Sequence, residues 1–277
     1  YTVALENGFT PASTVNDAPV VFDDSKLEDV WRPENDGGKF YGPTRIREAL
    51  YRSRNLVSIR LLRRMGIDRT LQGLQKLGFE TSDMPADLSL SLGSHALTPM
   101  TVARGYTIFA NGGYLVQPYI LDKIIDRDGN IIFEANPETA CNPCATTTEK
   151  QSDKFSAEQI DSELEQLLAT LAEESIPDSE KDHFQLISQT LRNHSQPETI
   201  SAQRAIDAPT AFLIDSMLKD VIQKGTGRKA KKLKRNDIGG KTGTTNKNTD
   251  TWFVGFTSNL LVGVYVGMDS PTPLGKF

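Results

Sequence analysis

A lysine, small hydroxyl residues and bare backbone come together at Lys241-Thr242-Gly243-Thr244-Thr245, preceded by Gly239-Gly240. Such a segment offers a fixed cation, hydroxyls that hydrogen-bond a carboxylate, and backbone for an extended peptide-like ligand to lie against. The residues that follow read as strand. Thr251-Trp252-Phe253-Val254-Gly255-Phe256 and Leu260-Leu261-Val262-Gly263-Val264-Tyr265-Val266 are rich in β-branched and aromatic residues, with Thr257-Ser258-Asn259 between them as the turn. Residues 250–267 are therefore expected to form a β-hairpin. A nucleotide-binding P-loop fails on two counts. Its first glycine would fall at Arg235, and its lysine should open a helix rather than a strand. Taken alone, Lys-Thr-Gly also fits a plain turn between two strands.

A second polar pair lies far upstream, at Ser53-Arg54-Asn55. Ile46, Leu50, Leu56, Ile59 and Leu62 recur at helical spacing, with a break near 53–55, and Pro43 and Thr44 read as a helix start. Two residues apart on a helix, Ser53 and Asn55 would point different ways. In a junction between two helices both can face one cleft. Alone, this motif also fits an ordinary polar helix junction.

Ser-x-Asn early and Lys-Thr-Gly late are two of the three signature elements of β-lactamases and penicillin-binding proteins. Longer stretches strengthen the match: Gly42-Pro-Thr through Ser53-Arg-Asn-Leu-Val-Ser58, Leu92-Gly-Ser through Thr98-Pro-Met, Phe109-Ala-Asn-Gly-Gly113, and Gly239 through Asn246. Together they resemble the transpeptidase domain of class A, bifunctional penicillin-binding proteins of the Gram-negative type. The resemblance covers the chain to about residue 137 and again from about residue 208. It implies a mixed α/β fold, an antiparallel sheet flanked by helices, with a helical subdomain holding Ser53.

The third element, the nucleophile of Ser-x-x-Lys, is missing from its place. The family sets it before Ser-x-Asn, whereas the one match in this chain is Ser216-Met-Leu-Lys219. That match sits in an amphipathic helix whose core face is Leu213, Ile214, Met217, Leu218, Val221 and Ile222, with Ser216 and Lys219 on the polar side. The opening Tyr1-Thr-Val-Ala-Leu-Glu-Asn-Gly8 resembles the stretch that follows the nucleophile in the family. The chain is accordingly expected to be a partial transpeptidase domain, spanning 1–277, and inactive by itself.

The resemblance implies a serine D,D-transpeptidase that cross-links peptidoglycan stem peptides through an acyl-enzyme. Ser53 would relay a proton toward the leaving amine. Asn55 would hydrogen-bond the donor peptide's amide carbonyl. Lys241 would hold positive potential beside Ser53 and the substrate carboxylate. Thr242 and Thr244 would grip that carboxylate, the Thr244 N–H would form half of an oxyanion hole, and Gly243 would let substrate approach the backbone. A D,D-carboxypeptidase and a non-catalytic peptidoglycan-binding or scaffold domain are the alternatives. Arg54 stands where the β-lactamase signature has Asp, and no glutamate can be assigned to activate water; both favour the transpeptidase. Implied partners are peptidoglycan stem peptides, β-lactam antibiotics and other cell-wall synthesis proteins. The implied location is the periplasmic face of the bacterial inner membrane, with the parent protein membrane-anchored.

Composition bounds the rest. At 38% apolar and 24% charged the chain is an ordinary globular sequence, and a net charge of −5 leaves no nucleic-acid footprint. A basic run from Lys224 to Arg235 reads as a solvated loop beside the cleft. Residues 138–207 read as an insertion: acidic, poor in aromatics, and helical at 156–172 through Ile160, Leu164, Leu167 and Leu171. Cys141 and Cys144 stand alone, and His95, His183 and His194 are scattered, so no metal site and no cofactor are expected. In an oxidising periplasm the two cysteines are expected to form a local disulfide.

Overall fold

A computed structural model describes residues 1–21, 31–140, 200–245 and 248–275. They divide into two compact units, 1–118 with 203–277, and 119–202. Residues 141–199, with Cys141, Cys144 and the helix expected at 156–172, lie outside the described residues.

The first unit is organised around one long helix. The elements before it are α1 (Thr2–Glu6), β1 (Thr14–Asp17), β2 (Gly42–Arg45), α2 (Ile46–Tyr51), α3 (Asn55–Met65), α4 (Ile67–Lys76), a 3₁₀ turn (Leu88–Leu92), α5 (Pro99–Ala110) and β3 (Tyr114–Leu115). Beyond the second unit, β6 (Gln203–Arg204) pairs with β3, and α6 (Ala208–Gln223) follows. Asp207 starts α6: its carboxylate accepts from the Thr210 N–H at 2.8 Å, and Thr210, through its hydroxyl first and its N–H second, holds the carboxyl below its ordinary pKa. The apolar face expected for α6 is the one it buries. Ile214, Met217, Leu218, Val221 and Ile222 are buried, and Leu213 is partly so. All but Ile222 of these pack with Val3, Ile46, Leu50, Val57, Leu61 and Phe256 in a single core.

The segment at Pro43–Thr44 departs from the sequence reading. It is not a helix start. Thr44 pairs with Val15 and Pro43 with Asn16 in an antiparallel β1–β2 ribbon, and the Ile46 N–H donates to the Ser13 carbonyl at 2.9 Å. The helix begins only at Ile46, after Arg45 in extended conformation. A distant strand took residues whose local signal, proline followed by threonine, suits a helix N-terminus.

After a turn (Arg228–Leu233) come β7 (Gly239–Thr244), β8 (Thr251–Phe256) and β9 (Leu261–Val266). They form an antiparallel sheet in the order β7-β8-β9, with Lys241 opposite Val254 and Gly255 opposite Val262. The expected hairpin is thus β8–β9. The Lys-Thr-Gly segment is itself a strand, not a turn, and lies on an edge among the described residues. Gly240 has a packing reason: a Cβ there would stand 2.7 Å from the Val254 carbonyl oxygen.

The second unit contains a hairpin of β4 (Lys123–Ile125) and β5 (Ile131–Glu134). Its turn is held by Asp126, whose carboxylate accepts from the Asp128 N–H at 2.9 Å and the Asn130 N–H at 2.8 Å. Among the described residues no helix is long and apolar enough to cross a membrane.

Candidate functional site

Ser53 ends α2 in a Schellman motif. The Ser53 N–H donates to the Leu50 carbonyl at 3.2 Å, and the Arg54 N–H to the Ala49 carbonyl at 2.9 Å. The motif requires a left-handed residue at Ser53, normally a glycine, and Ser53 adopts φ 53°. Backbone strain is therefore held at the serine. This gives a clean stability test. Ser53→Gly and Ser53→Ala lose the same hydroxyl and differ only in a Cβ at positive φ. The glycine variant is expected to be the more stable by about 1 kcal/mol. Equal denaturant midpoints for the two would show that the strain is not there.

The hydroxyl that this turn presents meets Lys241. The Lys241 ammonium donates to Ser53 Oγ, and also to the Thr242 carbonyl at 2.8 Å. No carboxylate pairs with Lys241 among the described residues, and its burial pushes the amine down to about 8. Two motifs 188 residues apart in sequence thus meet through one lysine and one serine. Asn55 is the first residue of α3, two residues on, and its amide donates to the Glu34 carbonyl at 2.8 Å. One further amide hydrogen remains for a ligand.

Along β7, Thr242 Oγ1 shares a hydrogen bond of 2.6 Å with Thr226 Oγ1. Thr226 also donates its N–H to the Tyr51 carbonyl at 3.1 Å. It therefore ties the Lys-Thr-Gly strand to the last turn of α2, beside Ser53. The sequence reading missed Thr226. Its signal was there, a threonine flanked by Gly225 and Gly227 near the start of the basic run. Thr244 is exposed at the end of β7, opposite Thr251. Gly243 faces Trp252, and a Cβ at Gly243 would lie 3.2 Å from Trp252 Cβ, so crowding across the sheet is a second reason for glycine here.

Ser216 and Lys219 are not brought to this place as a pair. Arg47 donates to Ser216 Oγ at 2.8 Å, whereas Lys219 donates to Asp215 at 2.6 Å. Each has its own partner, so neither prepares the other as an activated nucleophile would require. The basic residues Arg228, Lys229, Lys231, Lys232 and Lys234 are exposed, as expected for a solvated segment.

Comparison with known proteins agrees with the fold. The family described as penicillin binding protein transpeptidase domain matches residues 1–275. Penicillin-binding protein 1A of Pseudomonas aeruginosa is 44% identical over 278 residues, covering 100% of this chain and 32% of that protein. Penicillin-binding protein 1A of Escherichia coli is 36% identical, covering 97% of this chain and 32% of that protein. The crystal structure of penicillin-binding protein 1A from Haemophilus influenzae superposes with a TM-score of 0.74 at 33% identity, over 98% of this chain and 37% of that one. The chain spans about a third of the length of these relatives. With its fold, its family match and these relatives in agreement, the chain belongs to the penicillin-binding protein transpeptidase domain family.

Proposed function

We propose that this chain is the greater part of a serine D,D-transpeptidase domain that cross-links peptidoglycan stem peptides and is acylated by β-lactams. The observation that carries the reading is the Lys241–Ser53 contact at the open edge of β7. An edge strand presents backbone groups to an extended peptide, and the sheet order leaves that edge free among the described residues.

The chemistry follows from the parts. A serine supplied from outside residues 1–277 attacks the carbonyl of the penultimate D-alanine and expels the terminal one. Its proton must reach the leaving amine. Ser53 Oγ is suited to pass it, because a hydroxyl accepts one proton while donating another. Lys241 orients that hydroxyl and supplies positive potential for the carboxylate of the departing residue. Thr242 and Thr244 hydroxyls bind the same carboxylate. The Thr244 N–H points its dipole at the developing oxyanion, a contribution of roughly 3–4 kcal/mol when such a donor is well placed. The Asn55 amide orients the donor peptide. A second stem peptide's amine then attacks the acyl-enzyme. We read residues 138–207 as an insertion and route none of these steps through it. We place the parent protein at the periplasmic face of the bacterial inner membrane, anchored there and working with other cell-wall synthesis proteins.

The test uses labelled penicillin and intact-mass analysis on two samples, residues 1–277 and the full-length protein. One covalent adduct on the full-length protein and none on the short chain is the expected result. An adduct on the short chain would mean that a serine within 1–277 is the nucleophile. No adduct on either would leave a binding domain with a dead site.

A further inference from the structure

Arg54, the residue between Ser53 and Asn55, is gripped from two sides. Its guanidinium carbon stands 3.5 Å over the centre of the Tyr41 ring. Its Nε faces Asp17 Oδ2 at 3.9 Å, too far for a hydrogen bond, and both atoms are buried without a hydrogen-bond partner. Asp17 is fully buried, at 0% exposure, on β1.

The rest of Asp17 reaches the same loop by other routes. Its backbone carbonyl accepts from the Tyr41 N–H at 3.1 Å, which sets the ring that Arg54 stacks on. Its Oδ1 accepts from Asn35 Nδ2 at 2.7 Å. Asn35 is itself buried, and its own Oδ1 accepts from the Leu56 N–H at 3.4 Å, in the first turn of α3. One aspartate therefore holds the Tyr41 backbone, faces the guanidinium and, through Asn35, reaches the start of the helix that carries Asn55.

A fully buried carboxylate held 3.9 Å from a guanidinium is a poor way to gain stability. Desolvating both charges offsets most of their attraction, and an apolar pair of similar volume would do as well. In some proteins a buried charge pair instead fixes a single arrangement of the side chains that carry it. Here those side chains flank a serine in a left-handed conformation, which persists only if its surroundings hold it.

We propose that Asp17, acting through Arg54, is a positioning residue that keeps Ser53 and Asn55 in place against Lys241. This rests on the transpeptidase reading of the cleft. Asp17 does not touch substrate; it fixes the loop on which two substrate-facing groups sit.

The experiment is penicillin acylation of the full-length protein, its Asp17→Asn and Arg54→Gln variants, and the double variant. The saturating rate and the half-saturating concentration are measured separately. A displaced proton-relay hydroxyl lowers the saturating rate, by on the order of 10- to 100-fold, while the half-saturating concentration stays within about threefold. Asp17→Asn keeps the carbonyl that Tyr41 uses and an oxygen for Asn35, so it removes only what runs through Arg54, and adding it to Arg54→Gln is expected to cost nothing further in rate. The double variant carries neither charge, so it decides the matter if Asp17→Asn alone fails to fold. A double variant acylated at the parent rate would overturn the proposal. So would single effects that simply multiply. An unmodified parent that is not acylated would sink the transpeptidase reading itself, a distinct result.

Discussion

Lys241→Ala in the full-length protein is expected to lower the rate of acylation by penicillin about 10³-fold. Two losses combine. The lysine orients the Ser53 hydroxyl through a direct hydrogen bond, and removal of a positioned proton-transfer group costs about 10²–10⁴ in rate. The positive potential proposed to receive the substrate carboxylate disappears as well, so the half-saturating concentration is expected to rise too. Lys241→Arg keeps the charge but replaces a compact ammonium by a planar fork, and is expected to recover carboxylate binding better than rate. An alanine variant acylated within about tenfold of the parent would remove Lys241 from the chemistry.

The same lysine makes a pH prediction. Burial without a counter-ion lowers its pKa from the ordinary 10.5 to about 8. A depressed cation is held in its charged form at a cost, and that cost is present below pH 8. Between pH 8 and 10.5 the unfolded chain still binds the proton while the folded chain has released it. Stability contributed by this group therefore rises with pH across that window, by at most about 3 kcal/mol. Substrate affinity moves the other way, because neutral Lys241 no longer attracts a carboxylate. Labelled-lysine NMR on residues 1–277 should show one amine titrating near 8. If every lysine titrates near 10.5, the buried, unpaired setting of Lys241 is wrong.

Gly225→Val is the second large effect, and it is structural. A Cβ at Gly225 would stand 2.1 Å from the Tyr51 carbonyl oxygen and 2.9 Å from Val221 Cα, both backbone atoms that no rotamer change can move. Relief requires α2 and α6 to separate at the point where Thr226 donates to Tyr51. Overpacking of this kind costs about 3 kcal/mol, or more where backbone is the obstacle. The melting midpoint should then fall by roughly 6–12 °C. Acylation should fall further than stability alone explains, because Thr226 carries Thr242 with it. A valine variant that melts with the parent would show that α2 and α6 have room that the backbone contacts deny.

Much of the candidate site is legible in the chain. Lys241–Thr244 and Ser53–Asn55 are short motifs, and their meaning lies in residue type and order. The β8–β9 hairpin is legible because β-branched and aromatic runs flank a polar turn, a signal contained in residues 251–266. The buried face of α6 is legible because helical periodicity repeats from Leu213 to Ile222. These are local properties, and the tertiary structure did not override them.

What local pattern cannot carry was decided by the fold. Pro43–Thr44 became strand because Val15 and Asn16 lay alongside, a partner invisible from the residues themselves. The meeting of Ser53 with Lys241 depends on how α2, α6 and β7 pack. Ser53 is left-handed because Ala49 and Leu50 carbonyls need the N–H groups that follow. Asp17 and Asn35 show no motif at all, since a buried polar network is defined by its partners in space. The chain names the groups that can do chemistry; non-local hydrogen bonding and the burial of charge decide which of them meet.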